Sequence, residues 1–87
     1  MDRQIIRDFQ NAIIGYVETD KNGDKTVRDF YNRILGYYDA KLNVTRDFYK
    51  AIVARGDAAV SLIYQEEAKR KAEQEARENA NKNKKKK

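Results

Sequence analysis

The sequence predicts a mainly β, α+β fold: three repeated β-hairpins forming a curved antiparallel meander, followed by a C-terminal helix. Three observations predict it. First, one phrase is written three times. Ile6-Arg7-Asp8-Phe9-Gln10-Asn11-Ala12-Ile13-Ile14-Gly15-Tyr16 returns as Val27-Arg28-Asp29-Phe30-Tyr31-Asn32-Arg33-Ile34-Leu35-Gly36-Tyr37, and again as Thr45-Arg46-Asp47-Phe48-Tyr49-Lys50-Ala51-Ile52-Val53-Ala54-Arg55. A repeat of this length marks one structural unit copied and stacked. Second, each copy sets an aspartate three residues ahead of Asn11, Asn32 or Lys50, the pattern of a tight reversal. Third, the composition changes at Gly56-Asp57 from β-branched and aromatic residues to helix formers.

Within each copy the reversal divides two strands. Aspartate suits the first position of a type I turn, where its carboxylate accepts backbone N–H groups. Asparagine tolerates positive φ. A type I turn followed by one left-handed residue is a common hairpin loop. Phe9-Gln10-Asn11, Phe30-Tyr31-Asn32 and Phe48-Tyr49-Lys50 are the expected loops, with Lys50 the poorest fit. Asn22-Gly23 between the first two copies is a further hairpin signal. The expected strands are residues 3–8, 12–19, 25–29, 33–39, 43–47 and 51–56.

A helical alternative has support of its own. Val27, Phe30, Tyr31, Ile34, Leu35 and Tyr38 fall on a helical stripe, which would give a small three-helix bundle plus the C-terminal helix. That reading buries Gly15 and Gly36 inside helices, at about 1 kcal/mol each relative to alanine, and leaves the recurring Asp–Asn spacing without a role. After Asp57, a reasonable N-cap, Val60, Ile63 and Tyr64 make a short apolar stripe that Ala68, Ala72, Ala76 and Ala80 continue. Glu66–Arg70 and Glu73–Arg77 are favourable helical pairs. The domain organisation expected is a hairpin domain at 1–57, a helix at 58–80 and a disordered basic tail at 81–87.

The run Val27 to Asp39, followed by Val44 to Asp57, resembles small bacterial and phage-associated proteins built from repeated hairpins. These are described as β-flower-like, with a Gly-x-Ile or Ile-x-Gly element in each petal. The resemblance covers residues 3–56. That family prefers glycine at the left-handed turn position, where this chain has Asn11, Asn32 and Lys50; Gly15 and Gly36 keep the family glycine and Ala54 replaces it. The resemblance implies the petal fold and a bacterial or phage-encoded source, and brings no activity with it.

Composition narrows the chemistry. The chain has no cysteine and no histidine, which removes disulfides, thiolate and imidazole metal sites and histidine acid–base catalysis. The net charge of +5 is held by Lys82, Lys84, Lys85, Lys86 and Lys87; the remaining body is formally neutral. Such a run reads as a solvated tail that can touch a polyanion without sequence preference. No apolar run resembles a leader or a membrane span, so the expectation is a soluble, cytoplasmic protein.

Asp20-Lys21-Asn22-Gly23-Asp24 is a turn rather than a calcium loop, because the glycine and a twelfth-position glutamate are misplaced. The three Arg-Asp pairs read as turn aspartates with arginines in cross-strand pairs. No nucleophile elbow, phosphate loop, metal-ligand set or cofactor motif is present, and no catalytic residue or small-molecule substrate is assigned.

Strict alternation sorts the second strands into two faces. One carries Gly15, Gly36 and Ala54 at its centre and should turn toward a crowded interior. The other carries Ile14, Tyr16, Leu35, Tyr37, Val53 and Arg55. This second face is too apolar for solvent, so either Ala58 to Tyr64 or a second copy should cover it. The functional expectation is therefore a non-enzymatic structural or interaction module that associates with itself or another protein. The alternative is a weak, sequence-independent nucleic-acid binder using the Tyr/Arg face and the lysine tail.

Overall fold

The computed structural model describes residues 2–85, with side chains described through Glu78. Its elements are β1 (Asp2–Arg7), β2 (Ile13–Thr19), β3 (Lys25–Asp29), β4 (Ile34–Asp39), β5 (Val44–Asp47), β6 (Ile52–Arg55) and α1 (Ala59–Lys85). The strands form one sheet in chain order, each neighbour antiparallel. This is the expected mainly β meander with a C-terminal helix. The three-helix bundle is not supported, since Val27 to Tyr38 is strand, reversal and strand.

Each repeat closes by the same local chemistry. The N–H groups of Asn11, Asn32 and Lys50 donate to the carbonyls of Asp8, Asp29 and Asp47 at 3.0, 3.0 and 2.9 Å. Asn11, Asn32 and Lys50 take φ values of 68°, 72° and 70°. The carboxylates of Asp8 and Asp47 each accept two turn N–H groups, from Gln10 and Ala12 and from Tyr49 and Ala51. Asp29 accepts the N–H and Nε of Arg33. Nη1 of Arg7, Arg28 and Arg46 donates to the carbonyl of the left-handed residue, 3.0 Å away in all three copies. The repeated Arg-Asp dipeptide thus ties the turn from both sides. The linker between the first two copies repeats the device, with Asp20 accepting from Asn22 and Asp24 and Gly23 at φ 87°.

The second strand of each hairpin carries one extra residue against its partner. Ile6 faces Gly15 and Arg7 faces Ile13, leaving Ile14 between; Leu35 and Val53 occupy the same place in the later copies. Such a bulge bends the strand and turns the extra residue out of alternation. Ile14 therefore joins Ile6, Val17, Val27, Ala59 and Ile63 in the core, and Leu35 packs against that core with Leu62. This corrects the strict-alternation reading, which placed Ile14 and Leu35 with the tyrosines.

It is the glycine face, not the tyrosine face, that α1 covers. A Cβ on Gly15 would lie 2.8 Å from Ile63 Cγ2 and 2.6 Å from the Arg28 carbonyl. A Cβ on Gly36 would collide with the Arg46 carbonyl and lie 2.7 Å from Leu62 Cδ1. The two glycines let the helix and the next strand approach closely. The helix rests chiefly on β2, β3 and β4. It makes no such demand at β6, where alanine stands at position 54 and Val53 is 52 % exposed.

The corner into α1 is fastened by polar groups. Thr45, fully buried, donates its hydroxyl to the Gly56 carbonyl at 2.8 Å and accepts the Ala58 N–H at 2.9 Å. Asp57 caps the helix by accepting the Ala59 N–H, and Lys25 Nζ lies 2.5 Å from its other oxygen. Partial burial works against the ionised carboxylate of Asp57. The Lys25 ammonium and the Ala59 N–H together outweigh it and hold the carboxyl below its ordinary value. The helix is longer than the expected 58–80 segment. Positions 82, 84 and 85 lie on it, beyond the expected end at Ala80, while Lys86 and Lys87 lie outside the described residues.

Candidate interaction face

With α1 on one side, the other side of the sheet stays open, and register decides what it displays. Arg3, Glu18, Thr26, Tyr37, Arg46 and Ile52 form one cross-strand row from β1 to β6. Ile5, Tyr16, Arg28 and Ile34 form the row beside it. The tyrosine of each of the first two repeats is thereby set directly opposite the arginine of the next strand, Tyr16 against Arg28 and Tyr37 against Arg46.

The charges on this face are organised around one carboxylate. Glu18 receives Arg28 Nε at 2.6 Å and lies 4.0 Å from Arg3 Nε. The Arg3 guanidinium sits 4.1 Å from the Tyr16 ring centroid, and Lys50 Nζ sits 5.5 Å from that of Tyr37. Among the described residues, Arg46 and Lys50 have no carboxylate within ion-pair distance. A shallow hollow of about 270 Å³ opens beside Tyr37; its charged lining is mixed, with Glu18, Asp20, Asp24 and Asp39 against Lys25, Arg46 and Lys50.

The residues expected to form one contact face divide three ways. Tyr16, Tyr37 and Arg55 stand on the open face, Ile14 and Leu35 lie under the helix, and Val53 is exposed at the β6 bulge. The side chains of Lys82, Lys84 and Lys85 lie outside the described residues, so the expected polyanion contact has no described geometry.

A second feature escaped the strand-face reading. Phe9, Tyr31 and Tyr49 project from the three equivalent turns and are 91, 62 and 85 % exposed. Because the turns alternate with the β2–β3 and β4–β5 connections, all three lie at one end of the sheet. The signal was available in the sequence: each follows the turn aspartate by one or two residues, where a side chain points away from both strands. At the second turn, Arg70 of α1 lies 5.5 Å from the Phe30 ring and 5.6 Å from that of Tyr31. Its guanidinium is held protonated above the ordinary value by the Glu67 carboxylate.

Among the described residues, no group of three or more aspartate or glutamate side chains converges as a metal cage. No helix there is long and apolar enough to cross a membrane. No family model, curated protein or solved structure matches the chain.

Proposed function

We propose that this protein is a non-enzymatic interaction module that associates with other copies of itself through the aromatic end of the sheet. The observation that carries this reading is the exposure of Phe9, Tyr31 and Tyr49 at three equivalent turns. Those turns are closed by aspartate, arginine and backbone hydrogen bonds, so the fold does not require the rings. Tyr31 also packs on Phe30 and lies near Arg70, but all three rings stay largely exposed, and exposed large aromatic side chains are the usual anchors of a protein contact. A small core, with six apolar residues buried among the described ones, adds a reason for association.

Sedimentation equilibrium at micromolar concentration tests the proposal. The wild type should sediment above the monomer mass, and Phe9→Ser with Tyr31→Ser and Tyr49→Ser should return it to monomer with an unchanged circular dichroism spectrum. A wild type that stays monomeric across the range refutes it.

A further inference from the structure

We infer that the open face of the sheet is a binding platform for single-stranded nucleic acid, a site that uses none of the exposed rings of Phe9, Tyr31 and Tyr49. The argument begins with what the face displays. Tyr16 and Tyr37 occupy equivalent places in β2 and β4, two strands apart and offset by two residues along them, about 12 Å in all. Each is flanked by an arginine on the following strand. Exposed bases stack on aromatic rings and guanidinium planes, while cations track the phosphates. Two tyrosine rings, with Arg28 on the strand between them and Arg46 on the strand beyond Tyr37, supply both.

Charge selects the partner. Along the strands this face carries Arg3, Arg7, Arg28, Arg46 and Arg55 against Glu18 and Asp39, with Lys50 added at the turn end and Asp20 and Asp24 at the opposite end, a surplus of cations. Two copies stacked through it would set one surplus of cations against another, which like-charge repulsion opposes. An anionic partner meets no such penalty. Arg46 commits one N–H to the Lys50 carbonyl and has others in its fork for phosphate oxygens. The turn carboxylates of Asp8 and Asp47 are engaged by backbone N–H groups.

The chemistry also selects the strand state. A duplex keeps its bases stacked inside and offers the tyrosines nothing to stack on, whereas a single strand can splay its bases onto them. Stacking and phosphate contacts carry no base identity. Binding is therefore expected to be sequence-independent and strongly salt-dependent.

Fluorescence anisotropy with labelled oligothymidine tests this, using the full chain at low and at physiological salt. Two variants report separate contacts. Lys50→Asn removes a cation while suiting the left-handed turn, and should make the log–log salt slope shallower by about 0.7. Tyr37→Leu keeps an apolar side chain and should weaken binding about five- to a hundredfold without altering the slope. Arg55→Gln, on the exposed edge strand, gives a second slope measurement independent of the turn. The Phe9, Tyr31 and Tyr49 serine variant should bind as the wild type does, so failure of self-association and failure of this site are read separately.

The inference is overturned if oligothymidine does not bind at low salt. It is equally overturned if Tyr37→Leu, Lys50→Asn and Arg55→Gln all leave binding unchanged, which assigns the contact to the lysines at 82–87. Heparin or duplex DNA binding as tightly as oligothymidine, with no loss in Tyr37→Leu, overturns it as well.

Discussion

Gly15→Ala puts the sharpest demand on the packing described above. The added methyl carbon would lie 2.6 Å from the Arg28 carbonyl oxygen, 2.8 Å from Ile63 Cγ2 and 2.9 Å from Ile63 Cδ1. None of these can yield easily. The carbonyl belongs to β3, which is paired on both sides. Ile63 is 1 % exposed and β-branched, so it has few rotamers to move into. Overpacking of this kind costs about 1–3 kcal/mol. The opposing gain from stiffening the unfolded chain is about 0.4–1 kcal/mol. The net expectation is a loss of roughly 1–2 kcal/mol. In urea, with a slope of about 1 kcal/mol/M for so small a domain, the midpoint should fall by about 1–2 M. Gly15→Ala combined with Ile63→Ala should lose less than the sum of the two single losses, because the cavity accepts the new methyl. A Gly15→Ala midpoint equal to or above the wild type's would refute the close approach of helix and sheet.

Three further outcomes follow from the turns and the helix cap. Lys50 holds φ 70° without the freedom of glycine, so Lys50→Gly should raise stability by about 1 kcal/mol, measured by urea denaturation. Asp29 is buried and takes both the N–H and the side chain of Arg33, so Asp29→Ala should cost about 1–3 kcal/mol. Asp8→Ala, at the exposed equivalent turn, should cost less. Asp57 has its carboxyl lowered in the fold, so its contribution is present above the ordinary carboxylate range. That contribution is lost as pH falls from about 4 through the folded value. Lys25→Met should therefore flatten the acid limb of a plot of urea midpoint against pH, and an unchanged limb would exclude the Lys25–Asp57 pair as its source.

Local chemistry explains which parts of the fold were legible in the sequence. The reversals were legible because an aspartate and a left-handed residue three places later are contained in one short segment. Even Lys50, without asparagine's tolerance, adopts the same φ, because Asp47 and Arg46 impose the turn from either side. Which face would be buried was not legible by alternation, because a bulge adds one residue and alternation counts on none. The trace of it is the doubled apolar residue before each central small one: Ile13-Ile14-Gly15, Ile34-Leu35-Gly36 and Ile52-Val53-Ala54. Tyr16 and Tyr37 follow the bulge, so their relation to each other survived the error. The Tyr–Arg rows depended on register between repeats, as did Glu18 lying between Arg3 and Arg28. That register is fixed by the β2–β3 and β4–β5 connections, which lie outside the repeated phrase.

A nuclear Overhauser spectrum of the methyl and aromatic protons tests the account most directly. The helix on the glycine face predicts cross-peaks from Ile63 methyls to the Gly15 α-protons and from Leu62 methyls to those of Gly36, with none from the Tyr16 and Tyr37 rings to α1. Cross-peaks from those tyrosine rings to Ile63 or Leu62, with the glycine contacts missing, would reverse the two faces and contradict it.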